Sequence, residues 1–454
     1  MKKIISIIFI LPALIVISSC DPFDVFDREP LDKISDSQVW EEESLLDAYI
    51  MNLYSRFPFE SFPFGIFRDA DKANQNYETY NRPSTIQAGG MSRTSESHGY
   101  WDYSYIRDLN VFIEKIVDSP IAGETKRHME GQVRVMRAVV YFEKQKRYGG
   151  VPLVDVVLDP LGDLDEKFLV RSKEEEIADF IDSELTKAIE LLNTEHSRKG
   201  MINRWTAYAY KARANLWSAS IAKYGTLQIN GLVGIPAGRA NEFFQKAADA
   251  ARTVIQSGRY ELYDQIADKS ENYRNLFIDD GNSEVIFERI FDGFNIGENY
   301  HNYIASRRFA ATRGPHVSPF LDFLYGYENI DGTTDQPQFG PEHLYSDGIE
   351  LWKNKDPRLR ATVFLQGESY LGQTMQTYEG LDLSSQPDPD AIISGYDYYH
   401  NGIVAAGIDS RMRPDIGFRT CTGFLVRKYL VEKDKVPENS GSVNWKAYVW
   451  ARCT

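Results

Sequence analysis

The sequence predicts a mostly α-helical protein, in which an irregular stack of helical pairs is decorated by a loop-rich second half. Three observations predict this fold class. Residues 132–154 read as a buried helix. Helices with predicted caps at Ser172, Asn203 and Asn241 follow it, and the cap spacings of 31 and 38 residues lie near the roughly 34-residue tetratricopeptide period. After Tyr260 the helical period gives way to short apolar pieces among Gly, Pro, Asn and Asp.

The helix in residues 132–154 is the element around which the others are expected to pack. Its apolar stripe at i, i+3, i+4 and i+7 consists of Val135, Ala138, Val139 and Phe142. Further apolar residues widen this stripe, so Arg134, Arg137 and Lys144 are expected to form the one edge exposed to water. Gly149 can adopt the left-handed conformation that ends a helix, and Pro152 cannot continue one.

Two helices are predicted before this central one. Ser35 and Gln38 form a predicted capping box, which starts a first helix over residues 37–56. Residues 57–99 lack periodicity, and an irregular segment of this length in a compact protein is usually functional or mobile. A second stripe of apolar residues follows within residues 101–116 and consists of Ile106, Leu109, Ile113 and Ile116.

Three amphipathic helices are predicted after the central one. Ser172 and Glu175 form a second predicted capping box, Asn203 caps the next helix, and Asn241 caps the third. The inward face of the third is predicted to comprise Phe244, Ala247, Ala248, Ala251 and Ile255. Alanines at such positions allow neighbouring helices to approach closely.

The first residues resemble a bacterial lipoprotein signal. Lys2 and Lys3 precede an apolar run over residues 4–17, and Ser18 and Ser19 stand directly before Cys20. We therefore expect cleavage before Cys20, whose thiol and new amino group carry acyl chains such as palmitate. The predicted organisation is a signal peptide over residues 1–19, a lipidated tether over 20–34, a helical region over 35–260 and a loop-rich region over 261–454.

Composition and charge restrict the function. The chain has 454 residues, 43% of them hydrophobic and 26% charged, as in ordinary globular proteins. A net charge of −15 argues against nucleic acid as a ligand, because phosphates require basic surfaces. Beyond Cys20, the chain has Cys421 and Cys453, which we expect to be unpaired.

The sequence predicts no catalytic residue, no cofactor and no metal site. Nucleotide-binding glycine motifs, the serine-hydrolase elbow and zinc-binding histidine motifs are all missing, and the seven histidines are scattered. With 66 acidic residues, hydrolysis by a carboxylate pair stays open, although solvated surface acids are the preferred interpretation. Asp382, Asp388 and Asp390 are weak calcium candidates, and a polar turn is preferred there.

Aromatic residues cluster with planar polar ones before the second helix. The candidate ligand-binding residues are Asn74, Asn76, Tyr77, Tyr80, Arg82, Tyr100, Trp101 and Tyr103. A sugar has a C–H face ringed by hydroxyls, which suits a flat aromatic ring with amide or guanidinium groups beside it. For Trp101, a structural role as an anchor of the loop on the helices has the same weight as ligand stacking. The next candidates are Tyr300, Tyr303, Trp352 and the tyrosines of residues 396–399.

Motifs spread along most of the chain carry a family resemblance. They are SSC ending at Cys20, Trp40 with the 49–54 segment, WDYSYIRDLN from Trp101, RAVVYFEKQKRYGGVPL from Arg137, AADAARTVIQSGRYEL from Ala247, NSEVIF from Asn282, DPRL from Asp356 and GFLVRK from Gly423. In this order and spacing, the chain resembles SusD/RagB-family outer-membrane lipoproteins.

The resemblance implies a helical body with four tetratricopeptide-like pairs, lipid-anchored on the outer face of the outer membrane. It also implies a SusC-like TonB-dependent transporter as partner, to which such proteins deliver oligosaccharides without chemistry. No ligand contact carries over by motif, because binding residues vary among members. The alternatives are a peptide-binding member of the same family, a lipid-anchored glycoside hydrolase and a purely structural surface protein.

The C-terminal end is predicted to be truncated. Relatives are expected to continue past the 423–428 region into a further helix that packs on the stack, whereas this chain stops at Thr454. Loss of such a helix is expected to expose apolar surface and to lower stability.

Overall fold

The computed structural model describes residues 36–59, 77–79, 99–159, 161–162, 165–195, 198–279, 281–290, 301, 304–309, 315, 317–338, 342–343, 348–381, 404–410, 420, 422–431 and 447–449. The predicted signal peptide, Cys20, the tether, both remaining cysteines and the Asp382, Asp388 and Asp390 turn lie outside these residues. So does the C-terminal end, apart from residues 447–449.

Long helices dominate the first half of the chain. They are α1 (Asp36–Glu41), α2 (Glu43–Ser55), α3 (Ser104–Lys115), α4 (Gly123–Tyr148), α5 (Glu174–Leu191), α6 (Arg204–Tyr224) and α7 (Ala240–Gln256). Consecutive helices pack on one another: α3 on α4, α4 on α5, α5 on α6, and α6 on α7. This order confirms the predicted fold class, a mostly α-helical stack of helical pairs.

Helix α4 is the central element, as predicted. Its Val135, Ala138, Val139 and Phe142 are buried in one core that also includes residues of α2, α3, α5 and α6. The helix ends where the sequence indicates: Tyr148 is its last residue, and the Gly149 N–H donates to the Gln145 carbonyl at 2.9 Å. Gly149 has φ 71° and ψ −122°, a conformation that a side chain would strain.

The predicted water-exposed edge of α4 is wrong at two of its three positions. Arg137 and Lys144 are buried, whereas Arg134 is partly exposed. The reason is tertiary: Arg137 pairs with Glu184 of α5, and the Lys144 amine binds carbonyl groups of residues 100 and 102. These partners lie far away in sequence, so the helical period of α4 alone gives no sign of them.

The first predicted helix and the cap of α5 differ in the structure. The first helix is interrupted at Glu42, whose φ of −111° and ψ of 122° are extended, so α1 and α2 replace one helix. The capping interaction of α5 lies one residue later than predicted, because the Lys173 N–H donates to the Glu176 carboxylate at 2.8 Å. Ser172 instead joins the segment after α4, donating its N–H to the Val151 carbonyl.

The cap of α6 is confirmed, but that of α7 is wrong. The Asn203 side chain accepts the Thr206 N–H at 3.0 Å, as an N-cap does. Helix α7 begins at Ala240, so Asn241 lies inside it. Its buried stripe comprises Phe243, Ala247, Ala250 and Val254, whereas Ile255 is exposed. The sequence contains two overlapping apolar stripes here, and packing against α6 selects the one at i, i+4, i+7 and i+11.

The second half has short elements. The helices are α8 (Lys269–Asn275), α9 (Leu321–Tyr325), α10 (Gly348–Leu351) and α11 (Arg358–Thr362). The strands are β1 (Tyr77–Thr79), β2 (Phe287–Arg289), β3 (Val317–Pro319), β4 (Val363–Phe364), β5 (Ser369–Tyr370), β6 (Gln373–Thr374), β7 (Glu379–Leu381), β8 (Val404–Ala406), β9 (Leu425–Val426) and β10 (Ala447–Val449). Within the described residues, these strands form antiparallel pairs: β1 with β3, β2 with β10, β4 with β9, β5 with β6, and β7 with β8.

Aromatic packing joins the two halves. Phe287 of β2 stacks on Phe59 with ring centroids 5.4 Å apart and lies in the helical core. Strand β1 falls within the segment predicted to be irregular, and it pairs with β3 of the second half. In the part of the chain that is described, no helix is long and apolar enough to cross a membrane.

Candidate functional site

An exposed tryptophan lies beside the C-terminal end of α4. The ring of Trp101 meets that of Tyr148 at 86° with centroids 5.0 Å apart, and that of Tyr103 at 69° and 6.2 Å. Trp101 keeps 47% of its surface exposed. We call Tyr100, Trp101, Tyr103 and Tyr148 the Trp101 platform. Two edge-on rings thus support Trp101 while leaving much of its surface open to a ligand.

Backbone contacts hold the supporting rings in place. The Tyr103 hydroxyl donates to the Pro152 carbonyl at 2.8 Å, which joins the platform to the segment after α4. Arg171 donates to the carbonyl groups of Tyr148 at 2.6 Å and Gly150 at 2.7 Å. The turn that ends α4 therefore also fixes the position of Tyr148.

Lys144 lies beneath the platform. Its amine donates to the Tyr100 carbonyl at 2.7 Å and to the Asp102 carbonyl at 2.8 Å. The same nitrogen lies 4.3 Å from the ring centroid of Tyr103 and 5.0 Å from that of Tyr100. Burial lowers the pKa of Lys144 to about 8, with the nearby Asp102 carboxylate acting in the opposite direction.

Tyr100 is less available to a ligand than the sequence predicts. It is partly buried, its N–H donates to the Tyr148 hydroxyl at 2.6 Å, and the Arg147 guanidinium lies 5.3 Å from its ring centroid. Burial raises the pKa of Tyr100 to about 12. Tyr100 thus contributes to holding the segment on α4, whereas Trp101 presents the open surface.

Two basic side chains beside the platform are compensated by acids. Arg147 pairs with Glu143 at 2.6 Å, and Arg56 pairs with Asp108. Hydrogen bonds from Ser104 lower the pKa of Asp102, so this exposed carboxylate is ionised at neutral pH. With Arg147 and Arg56 engaged by acids and Asp102 ionised, the surface disfavours an anionic ligand.

The structure describes only some of the predicted site residues. It brings Tyr100, Trp101 and Tyr103 together, and it places the Tyr77 backbone opposite Pro319 in the β1–β3 pair. The side chain of Tyr77 lies outside the described residues. The other candidates outside them are Asn74, Asn76, Tyr80, Arg82, Tyr300, Tyr303 and the 396–399 segment.

Three side chains change the sequence interpretation. Trp352 is buried against Tyr325 and Phe424, so it offers no surface to a ligand. Tyr148 and Lys144 were missed as site residues. Their i, i+4 spacing places both on one face of α4, which is a signal that the sequence does contain.

No group of three or more His, Cys, Asp or Glu residues that could hold a metal ion occurs among the residues described.

Parts of the chain are similar to known proteins. A model described as "Starch-binding associating with outer membrane" matches residues 27–216. A curated SusD-like protein from Formosa agariphila is 30% identical over 289 residues, which cover 62% of this chain. The parts of the chain that these two comparisons match are therefore similar to SusD-like proteins. The match spans half the length of that curated relative, 50%.

Solved structures show the same SusD-like fold. A SusD-like protein from Bacteroides fragilis aligns with a TM-score of 0.66 at 23% identity, covering 93% of this chain and 74% of that one. A SusD-like carbohydrate-binding protein from the same organism aligns with a TM-score of 0.64 at 20% identity, covering 90% and 72%. A laminarin-binding SusD-like protein aligns with a TM-score of 0.53 at 16% identity, covering 90% and 78%.

Proposed function

We propose that this SusD-like protein captures oligosaccharides at the Trp101 platform and delivers them, without chemical conversion, to a SusC-like TonB-dependent transporter. The exposed ring of Trp101, supported edge-on by Tyr103 and Tyr148, is the observation that carries the proposal. The family description as starch-binding and the laminarin-binding neighbour support a glycan as the ligand class.

The expected affinity follows from the area of one sugar face. Covering about 100 Å² of apolar surface contributes roughly 2.5 kcal/mol before association entropy is subtracted. Trp101 alone therefore gives weak binding, and further contacts are required for micromolar affinity. The candidates Asn74, Asn76, Tyr77, Tyr80 and Arg82, close in sequence, are proposed to supply such contacts.

Replacing Trp101 by alanine is expected to weaken glycan binding by tenfold or more, up to about 60-fold, because the stacking surface is lost. Calorimetric titration with laminarin and starch oligosaccharides measures this. The matched control is Trp217→Ala on α6, since Trp217 is 37% exposed and also meets a supporting ring, Phe142, at 81°. Equal affinities of the Trp101→Ala variant and the unaltered protein would place the glycan site elsewhere.

Three alternatives have their own outcomes in assays of the same purified protein. Binding of a peptide mixture but of no glycan supports the peptide-binding member. Release of reducing sugar supports the glycoside hydrolase, for which a buried acid is required. Glu174 has its pKa raised by burial, but it accepts the Gly234 N–H at 2.6 Å and is buried, so it serves the fold. A purely structural surface protein shows neither binding nor turnover.

The proposed location is the outward face of the outer membrane, with the body joined by the residue 20–34 tether to lipid on Cys20. Replacing Cys20 by alanine is expected to release the protein into the soluble fraction, since acyl chains contribute about 0.8 kcal/mol per buried CH₂. Fractionation after a high-salt wash measures this. Retention of the variant in the membrane fraction contradicts the lipid anchor.

The proposed SusC-like partner has a separate test. Affinity purification of the tagged, membrane-bound protein is expected to recover a TonB-dependent transporter. Recovery of other proteins only contradicts the delivery role, while leaving glycan binding to the calorimetric test.

A further inference from the structure

Lys144 occupies an unusual place for a lysine. It is 0% exposed, although it belongs to the most hydrophilic class of side chains. Its amine binds the carbonyl groups of Tyr100 and Asp102, the residues immediately before and after Trp101. One charged group therefore holds the backbone on both sides of the exposed ring.

The surroundings of the amine extend this role to the supporting rings. The nitrogen lies near the ring centroids of Tyr103 and Tyr100, at 4.3 and 5.0 Å, where the negative faces of the rings attract a cation. Lys144 and Tyr148 project from the same face of α4, one turn apart. The helix thus presents a cation under the segment and a ring beside it.

We propose that Lys144 is a positioning residue of the Trp101 platform, which sets the direction of the Trp101 ring by fixing the peptide groups on either side of it. The effect on glycan affinity rests on the proposed function, whereas the effect on the Trp101 ring does not. A buried charge is costly for a fold, and here hydrogen bonds to two carbonyl groups and contacts with two ring faces offset that cost. All of these partners lie in the segment that carries Trp101, and methionine, which has no donor, cannot hold its carbonyl groups.

The test uses the full chain labelled with 5-fluorotryptophan, which gives fluorine NMR signals from seven tryptophans. The Trp101 signal is assigned with Trp101→Phe. In Lys144→Met, this signal is expected to shift or broaden, and affinity for the glycan that the unaltered protein binds is expected to fall about fivefold or more. Lys144→Gln, which retains one amide donor, is expected to give an intermediate shift and provides a second variant if Lys144→Met does not fold.

Two matched controls separate positioning from general stability. Lys126 lies on the same helix and donates to the carbonyl groups of Val117 and Ser119, each at 2.9 Å. Lys355 is buried and donates to the carbonyl groups of Tyr327 at 2.8 Å and Asp335 at 3.2 Å. Lys126→Met and Lys355→Met are expected to leave the Trp101 signal and the glycan affinity unchanged, whatever their melting temperatures.

The outcomes distinguish this inference from the proposed function. An unchanged Trp101 signal in Lys144→Met overturns the positioning role. The same result in Lys144→Gln overturns it if only that variant folds. A changed signal in a protein that binds no glycan supports the positioning of Trp101 and rejects the glycan-binding function. Equal signal changes in the Lys355→Met control also overturn the inference, because they show a general effect of removing a buried amine.

Discussion

Replacing Glu184 by glutamine is expected to lower the free energy of unfolding by about 3–5 kcal/mol, because the change leaves the buried Arg137 guanidinium without its counter-charge. Glu184 is 1% exposed and Arg137 is 4% exposed. The Glu184 carboxylate accepts from Arg137 at 2.6 and 3.0 Å, and from Arg134 at 3.0 and 3.2 Å. Arg137 also donates to the Asn110 side chain at 2.8 Å, so the network joins α3, α4 and α5.

Urea denaturation followed by circular dichroism measures the expected loss. Asp249→Asn is the matched control, since Asp249 pairs with Arg252 at 2.6 Å with both side chains more than half exposed. Such an exposed pair contributes little to stability because solvent and salt screen it. The double variant Glu184→Met with Arg137→Met is expected to recover part of the loss, because methionines fill the space without charge. A loss for Glu184→Gln no larger than that of the control contradicts the buried-network argument.

Replacing Gly150 by alanine is expected to cost about 3 kcal/mol or more, because the new methyl group meets backbone atoms that cannot move independently. A Cβ there would lie 1.9 Å from the Ser172 carbonyl oxygen and 3.1 Å from the Glu174 nitrogen. The Gly150 N–H also donates to the Leu232 carbonyl at 2.7 Å. Chain segments before α5 and after α6 therefore close on this residue from different directions.

The same substitution is expected to weaken glycan binding, since the turn at Gly150 fixes Tyr148 beside Trp101. Thermal melting and calorimetric titration measure the two effects. Gly123→Ala is the matched control: Gly123 begins α4, and a Cβ there meets nothing within 4 Å. Alanine in a helix is neutral or stabilises by up to about 1 kcal/mol. If the Gly150→Ala and Gly123→Ala variants have the same melting temperature, the close approach at Gly150 is not what restricts this turn.

The sequence determines the features that depend on neighbouring residues. The i, i+3, i+4 and i+7 spacing of Val135, Ala138, Val139 and Phe142 predicts α4, and Gly149 ends it at the observed position. Asn203 caps α6 as predicted. These signals are local, because a helical period and a cap depend on residues within about one or two turns.

Only part of the site was predictable. The aromatic cluster indicates Tyr100, Trp101 and Tyr103, and the structure brings all three together. The sequence does not indicate which ring is open to a ligand. In the structure Trp101 is exposed, whereas Tyr100 is held against α4 by Tyr148. Exposure depends on contacts between residues nearly fifty positions apart, and no sequence period reports such contacts.

Tertiary structure alone decided the state of the polar edge of α4 and the face of α7. The sequence predicts a water-exposed edge at Arg137 and Lys144, but Glu184 and the carbonyl groups beside Trp101 bury both charges. In α7, packing on α6 buries Phe243, whereas the sequence pattern favours Phe244. The physical reason is the same in each case: periodicity shows that a face is to be buried, but the partner that covers it comes from another part of the chain and fixes which side chains it contacts.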